Sequence, residues 1–449
     1  MRLSSCILLF AAAVQAKRVV HNWDITYLNT SRGLDQAPKR GITVNGKFPL
    51  PIVEAEVGDL LVLNVHNSLD VPTSLHAHGI YQHGTNYYDG VGMFTECSIA
   101  PGSNFTYEIP LKQSGTHWIH GHTAEQNFDG LRTTPHHPTG RPWTMQQSMD
   151  FLLKPNLAGL PLNPPPHGLI NESMARLPSP SISRTSSFVI DDHDLILYEI
   201  DGVRTKPKTL KTIRVTPGQR ASVLVKAKRS RSNNYSYHVT MNSPGTPVLA
   251  GALPFTFNGT VEYDPKAPPW LHHYVVLYDT FDYVEFRAPK VPTLFSALTM
   301  GDKAKNPLIY GPQTNARVLN YNEVIEIVLF STSIAPHPFH LHGHTYGFSP
   351  LRRDTVFLGP FQYVVIRFRA DNPGVWLFHC HMDWHSPNLR SVFVSAPDVM
   401  QRTLRVPQSV FDQCRIPGYS DQRKTWLVEM TNNIDGAPIL PALLASPPH

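Results

Sequence analysis

The sequence predicts an all-β chain of several sandwich or barrel units, and three observations carry that prediction. Runs of about four to eight β-forming residues bounded by Gly, Pro, Asn and Asp recur along the 449 residues. The 41 prolines outnumber the 28 glycines and charged residues make up only 16%, which suits strands joined by many turns better than long amphipathic helices. Three similar phrases, Val57-Gly58-Asp59, Thr216 to Arg220 and Asn322-Glu323, each lead into a strand, and their spacing suggests three β domains in tandem.

From the N-terminus, Met1 to Ala16 places Arg2 before an apolar run, Ile7 to Val14, and small residues at its end, the pattern of a secretory signal peptide. No later apolar stretch approaches the ~20 residues that span a bilayer, so the expectation is an exported product without a membrane anchor, extracellular or in the cell wall. Sequons at Asn29, Asn104, Asn171, Asn234 and Asn258 are permissive for glycosylation there. Strands are expected at Ile42–Val44, followed by a turn at Asn45-Gly46, and at Ile52–Ala55, Leu60–Val65, Phe105–Ile109, Ile213–Val215, Ala221–Val225, Tyr235–Val239, Tyr274–Tyr278, Val324–Phe330, Val364–Phe368 and Val392–Val394. Between Pro135 and Pro180 prolines crowd a stretch with little strand pattern, which reads as a linker. The net charge of +5 is scattered, and its one short run, Lys226 to Arg231, lacks interleaved aromatic residues and reads as a solvated hairpin tip rather than a nucleic-acid patch.

Histidine is the unusual residue. A chain with 23 of them would contain about one His-x-His by chance, and five are present. Four segments hold them: His76-Ala77-His78; His117 to His122; His337 to His344; and His379-Cys380-His381 with His385 beyond. Residues i and i+2 of a strand face the same side, so each His-x-His offers two imidazoles to one place. In His379-Cys380-His381 the cysteine faces the other way, so one tripeptide can touch two metal sites. Structural zinc prefers paired cysteines, which this chain lacks, whereas one cysteine with two histidines is the blue-copper set. His337, Cys380 and His385 supply it, and His76, His78, His120, His122, His340, His342, His379 and His381 suffice for a copper cluster beside it.

These four segments, in this order, resemble the copper signatures of multicopper oxidases. The phrases Gln82 to Gly90, Arg352-Arg353-Asp354-Thr355 and Ala370 to Gly374 most resemble the fungal laccase and iron-oxidase branch. The resemblance implies three cupredoxin domains (Greek-key β-sandwiches): 17–134, then a linker and shortened second domain in 135–273, and 274–449 with a C-terminal tail. It implies four copper ions, with a type 1 copper at His337, Cys380 and His385, type 2 ligands His76 and His340, and type 3 ligands His78, His120, His122, His342, His379 and His381. Asp89 and Asp383 match acidic residues that the family uses for proton supply, while His66, His83, His117, His136, His137 and His344 match no ligand position. With Cys380 given to copper, the family pattern implies a Cys97–Cys414 bridge.

The expected activity is one-electron oxidation of a small phenolic substrate coupled to reduction of O2 to water. Iron oxidases of the family carry carboxylates near the type 1 site, where this chain has Ser333 and Leu160. Fe(II) oxidation and a copper-binding glycoprotein impaired in turnover are the alternatives. The chain is shorter than the family pattern after Thr133 and after His344, so sheet edges and apolar strand faces are expected to be exposed. A gap at Ser386 to Asn388 leaves Leu389 or Arg390 at the axial position of the type 1 site.

Overall fold

The structure is a computed structural model that describes residues 16–30, 39–47, 50–123, 126–127, 129–133, 167–170, 173–176, 185–226, 235–242, 255–261, 272–273, 288–289, 291–311, 314–331, 336–348, 351–382 and 389–415. Among them the chain is built of strands, with short α-helices at Thr293–Thr299, Pro397–Thr403 and Gln408–Asp412. No described helix is long and apolar enough to cross a membrane.

The first region forms a four-stranded sheet in the order Lys39–Val44, Arg18–Thr30, Leu60–Asn67, Asn104–Pro110. Its longest strand, Arg18–Thr30, is absent from the sequence expectations although Trp23 and Ile25 alternate into the core. It pairs in parallel with Leu60–Asn67, a distant partner that no hairpin turn announces. The Asn45-Gly46 turn is present, with both residues at positive φ and the Asn45 side chain accepting from the Asp24 N–H. Ile52–Ala55 is not a strand: Pro51 removes a ladder donor and Ile52 is left exposed.

The middle region, expected to be incomplete, forms two four-stranded sheets. One runs Val203–Leu210, Leu195–Ile200, Ala221–Val225, His272–His273, and the other Ile213–Val215, Thr185–Ile190, Tyr235–Asn242, Phe255–Val261. Among the described residues, Phe188, Ile190, Leu195, Ile213 and Val223 are buried in one apolar cluster. The proline-rich stretch read as linker contains a hairpin, His167–Ile170 with Ser173–Arg176, while the expected strand Tyr274–Tyr278 lies outside the described residues.

The third region centres on a five-stranded sheet in the order Arg317–Leu319, Arg390–Ser395, Gly374–Cys380, His337–Leu341, Thr355–Leu358. Gly374–Cys380 is buried along its whole length. Strand Val324–Phe330 pairs with Tyr363–Arg369, and Val324, Val328, Phe330 and Tyr363 stay more than half exposed, the apolar face expected of a shortened chain. One apolar cluster joins the first and third regions, from Trp23, Phe94 and Tyr107 to Phe295, Leu377 and Val410. Cys97 and Cys414 are disulfide-bonded across it.

Candidate metal centre

Two strand pairs aim imidazoles at one place. Leu75–His78 pairs with Trp118–Gly121, setting His76 opposite His120. His337–Leu341 pairs with Gly374–Cys380, setting His340 opposite His379. Residues directly opposite on antiparallel strands share a face, so each pair sends two rings the same way, and His78, His122, His342 and His381 extend the set by the two-residue period. The two sheets meet ring to ring, with centroids 3.9 Å apart for His76 and His342 and 3.7 Å for His78 and His340.

The outer nitrogens of five of these rings are occupied. His76 Nδ1 donates to the Asp89 carbonyl at 2.7 Å, His120 Nδ1 to Gly121 O at 3.0 Å, His340 Nδ1 to Asp354 O at 2.9 Å, His342 Nδ1 to Asp89 Oδ2 at 2.8 Å and His379 Nδ1 to Cys380 O at 2.9 Å. Each of these five rings therefore keeps its Nε2 lone pair for the interior, the tautomer that metal-binding histidines show when their other nitrogen holds a carbonyl or carboxylate. The Nε2 atoms of His76, His120, His122 and His340 are buried without a hydrogen-bond partner. His342 Nε2 lies 3.1 Å from His379 Nε2, and His381 Nε2 lies 3.1 Å from His78 Nδ1. Burial, followed by the neighbouring imidazoles, pushes the pKa values of His78, His120, His122, His342, His379 and His381 well below the ordinary value, so these rings are neutral and able to ligate. Ligand atoms of His76, His340 and His342, of His76, His78 and His120, and of His122, His342 and His379 lie within 4.8 Å of one another in each group. Buried, neutral imidazoles with convergent lone pairs fit copper better than any hard cation.

Cys380 faces away from this cluster, as strand alternation requires. Its sulfur lies 3.8 Å from His337 Nδ1, both residues are buried, and burial lowers the His337 pKa to about 3. His385 and Asp383 lie outside the described residues, as do Ser333, Leu160, His136 and His137. The Cys380 N–H donates to Leu389 O, and Arg390 pairs with His379. Arg390 thus shares the cluster side with His379, which leaves Leu389 on the side of Cys380.

Asp89 is fully buried, and its carboxylate receives His342 while lying 3.3 Å from His76. The loop that carries it is pressed against the strand of His76, because a Cβ at Gly90 would fall 1.7 Å from Leu75 O. Asp354 was missed as a site residue. Its carboxylate stands 3.4 Å from His78 Nε2 and 3.6 Å from His340 Nδ1, and accepts from Arg220 Nη1 at 2.7 Å. Burial pushes its pKa up, yet the Arg220 guanidinium and then His78 hold it well below the carboxylate range. Neither residue belongs to a spacing pattern; the only signal was that both stand in short phrases, Arg352 to Thr355 and Thr216 to Arg220, already singled out for other reasons. Among the described residues His117 and His344 enter no ligand group; His344 is buried against Trp376, and His117 is partly buried.

Family models described as multicopper oxidase match residues 25–135, 172–253 and 286–393. The chain is 31% identical to the iron transport multicopper oxidase fetC of Epichloe festucae, over 92% of this chain and 81% of that protein. It is 30% identical to the iron multicopper oxidase fer1 of Mycosarcoma maydis, over 99% and 90%. Among solved structures it resembles Fet3p, described as a multicopper oxidase that functions in iron import, with a TM-score of 0.72 and 27% identity over 89% of this chain and 94% of that one. The laccase of Botrytis aclada shares the fold, with a TM-score of 0.64 at 22% identity over 92% of each chain.

Proposed function

The chain belongs to the multicopper oxidase family, and from that premise we propose which residues hold the metal and which reductant the enzyme takes. It is a copper-dependent oxidoreductase with O2 as acceptor, on a fold of three cupredoxin-like domains. We assign four copper ions: one to His337, Cys380 and His385, one to His76 and His340, and two to His78, His120, His122, His342, His379 and His381. The observation that carries this is the convergence of buried, unpartnered imidazole nitrogens back to back with the Cys380 thiol. Bound copper supplies one-electron transfer and the reduction of O2 to water.

The protein's own contribution is alignment. Cys380 and its two flanking histidines join the two sites through a few covalent bonds, so their separation is fixed by one strand. Asp89, held by His342 and beside His76, is placed to deliver protons to the cluster, with Asp383 as its proposed partner in that role. Leu389, beside Cys380, would offer no ligand atom to a copper held there and would make the surroundings of the sulfur more apolar, one of the features that tune a blue-copper site.

For the reductant, a phenol is the reading that Ser333 and Leu160 support, since a dication docks best against carboxylates. The iron oxidases among the relatives favour Fe(II) as the second reading. Oxygen uptake with a substituted phenol and with Fe(II) under identical conditions decides between them. The expected result is a kcat/KM at least tenfold larger for the phenol, a gap of about 1.4 kcal/mol, narrowed by Ser333→Asp. A larger kcat/KM for Fe(II) in the unaltered protein overturns the phenol reading. Export into an oxidising compartment is proposed on the N-terminal pattern and on the Cys97–Cys414 bridge.

A further inference from the structure

None of the clustered histidines comes from the described part of the middle domain, yet one middle-domain side chain is buried against them. Arg220 is 1% exposed. Its Nε donates to Thr116 O of the first domain at 3.1 Å, and its Nη1 donates to Gly218 O at 3.0 Å and to Asp354 Oδ1 of the third domain at 2.7 Å. The backbone N–H of Arg220 donates to Asp201 Oδ1 at 2.7 Å, while Asp201 Oδ2 receives Arg353 Nε, the residue before Asp354, at 3.0 Å. The contacts form a closed ring, from Arg220 to Asp354, along the chain to Arg353, to Asp201 and back to Arg220.

The ring lies directly behind the imidazoles. Asp354 accepts from His340 through its carbonyl and stands beside His78 through its carboxylate. A Cβ at Gly79, the residue after His78, would fall 2.3 Å from Arg220 Nη2, and a Cβ at Gly218 would fall 2.9 Å from His381 Cδ2. The turn Thr216–Arg220 is thus seated against two ligand-bearing segments with no room to spare. A guanidinium suits the place because its planar fork reaches acceptors on three separate segments at once, which a lysine ammonium on a flexible stem does not.

We propose that Arg220 is a positioning residue for the copper cluster: by fixing the Asp354 carboxylate it sets the orientation of His340 and His78, so the middle domain tunes a site to which it gives no ligand. The proposal rests on the copper assignment above. It is tested on the full-length protein with Arg220→Lys and Arg220→Met, and with Glu199→Gln as a control, because Glu199 accepts from the Thr116 N–H at the same interface and does not touch Asp354. Copper per chain is read first on the unaltered protein; absence of copper there overturns the assignment itself and needs no variant. With copper loaded, both Arg220 variants are expected to keep the blue absorption band, to shift the hyperfine splitting of the non-blue copper in electron paramagnetic resonance, and to release that copper to a chelator with ~10–100-fold lower affinity, as loss of a residue orienting metal ligands does. Glu199→Gln is expected to leave the spectrum unchanged. The proposal is overturned if Arg220→Lys loads copper with the unaltered spectrum and affinity, or if Glu199→Gln produces the same shift. It is also overturned if neither Arg220 variant folds, since the role would then be general to the fold.

Discussion

The terminal domains are fused to each other by apolar packing, and the middle domain is fastened to them by polar contacts. Phe94, Tyr107 and Leu131 from the first domain share one buried cluster with Leu294, Phe295, Val375 and Val394 from the third. Asn86 completes the join by exchanging hydrogen bonds with both backbone groups of Val375, at 2.8 and 2.9 Å. Among the described residues, contacts across the other boundary include Thr116 to Glu199, Ser222 and Arg220, Arg220 to Asp354, Asp201 to Arg353 and Gln219 to the Thr355 carbonyl. The difference teaches where a metal cluster of neutral ligands can be built: in a seam that excludes water on both sides, with charge brought to its back by a separate unit.

The largest effect expected from this contrast is confined to the terminal half. Cys380→Ser should abolish the blue colour and the oxidase activity while copper persists at the imidazole cluster, because the serine changes only the face turned away from His379 and His381. A Cys380→Ser protein as blue as its parent sinks the type 1 assignment. Truncation in the two cores comes next. Leu294→Ala, at a site with no exposure in the shared core, should cost about 2–5 kcal/mol and lower one transition in which both terminal domains unfold and copper is released. Leu195→Ala, also fully buried, should lower the melting of the middle domain while most copper stays bound. Calorimetry with copper release followed in parallel checks this, and equal copper loss in the two variants breaks the comparison.

A smaller, pH-dependent effect comes from a polar group inside the apolar half. Glu96 is fully buried, with one oxygen accepting from Tyr107 OH at 2.6 Å. Burial, opposed by that hydrogen bond and aided by the charge of Asp89, raises its pKa from 4.5 to about 8. The unfolded chain releases this proton near pH 4.5 and the folded chain holds it to about pH 8, so stability falls as pH rises through that window. Glu96→Gln cannot ionise. Its stability relative to the parent should improve between pH 5 and pH 8, on the order of a few kcal/mol at most. Denaturant unfolding at the two pH values measures it, and a difference that does not change with pH shows that Glu96 is ionised in the fold.

The clustering of the histidines was legible because strand geometry repeats every two residues: His76 with His78, and His379 with His381, state their common direction in the spacing itself. Asp354 and Arg220 were not, because a single charged side chain carries no period, and its meaning comes from a contact 134 residues away in the chain. The strand Arg18–Thr30 was missed because over Arg18–Ile25 its partner is parallel and remote and only its second half pairs with the nearby Lys39–Val44, and Ile52–Ala55 was over-read because alternation counts only where a neighbour supplies the ladder.

The Cys97–Cys414 bridge spans 317 residues of chain, and this sets an order on biosynthesis. At synthesis rates of ~5–20 residues per second, the Cys97 thiol waits roughly 15 to 60 s before its partner exists, and under the export proposed above Cys380 reaches the same oxidising space first. A mispaired Cys97–Cys380 disulfide would consume the sulfur assigned above to copper and leave Cys414 without its partner. The strand Gly374–Cys380 must therefore be sheathed between its neighbours before the helix Gln408–Asp412 docks and brings Cys414 home. The last covalent bond to close is then a seal on a third domain that is already assembled, and the yield of correctly sealed chains is set by how quickly Cys380 is hidden rather than by how stable the finished protein is.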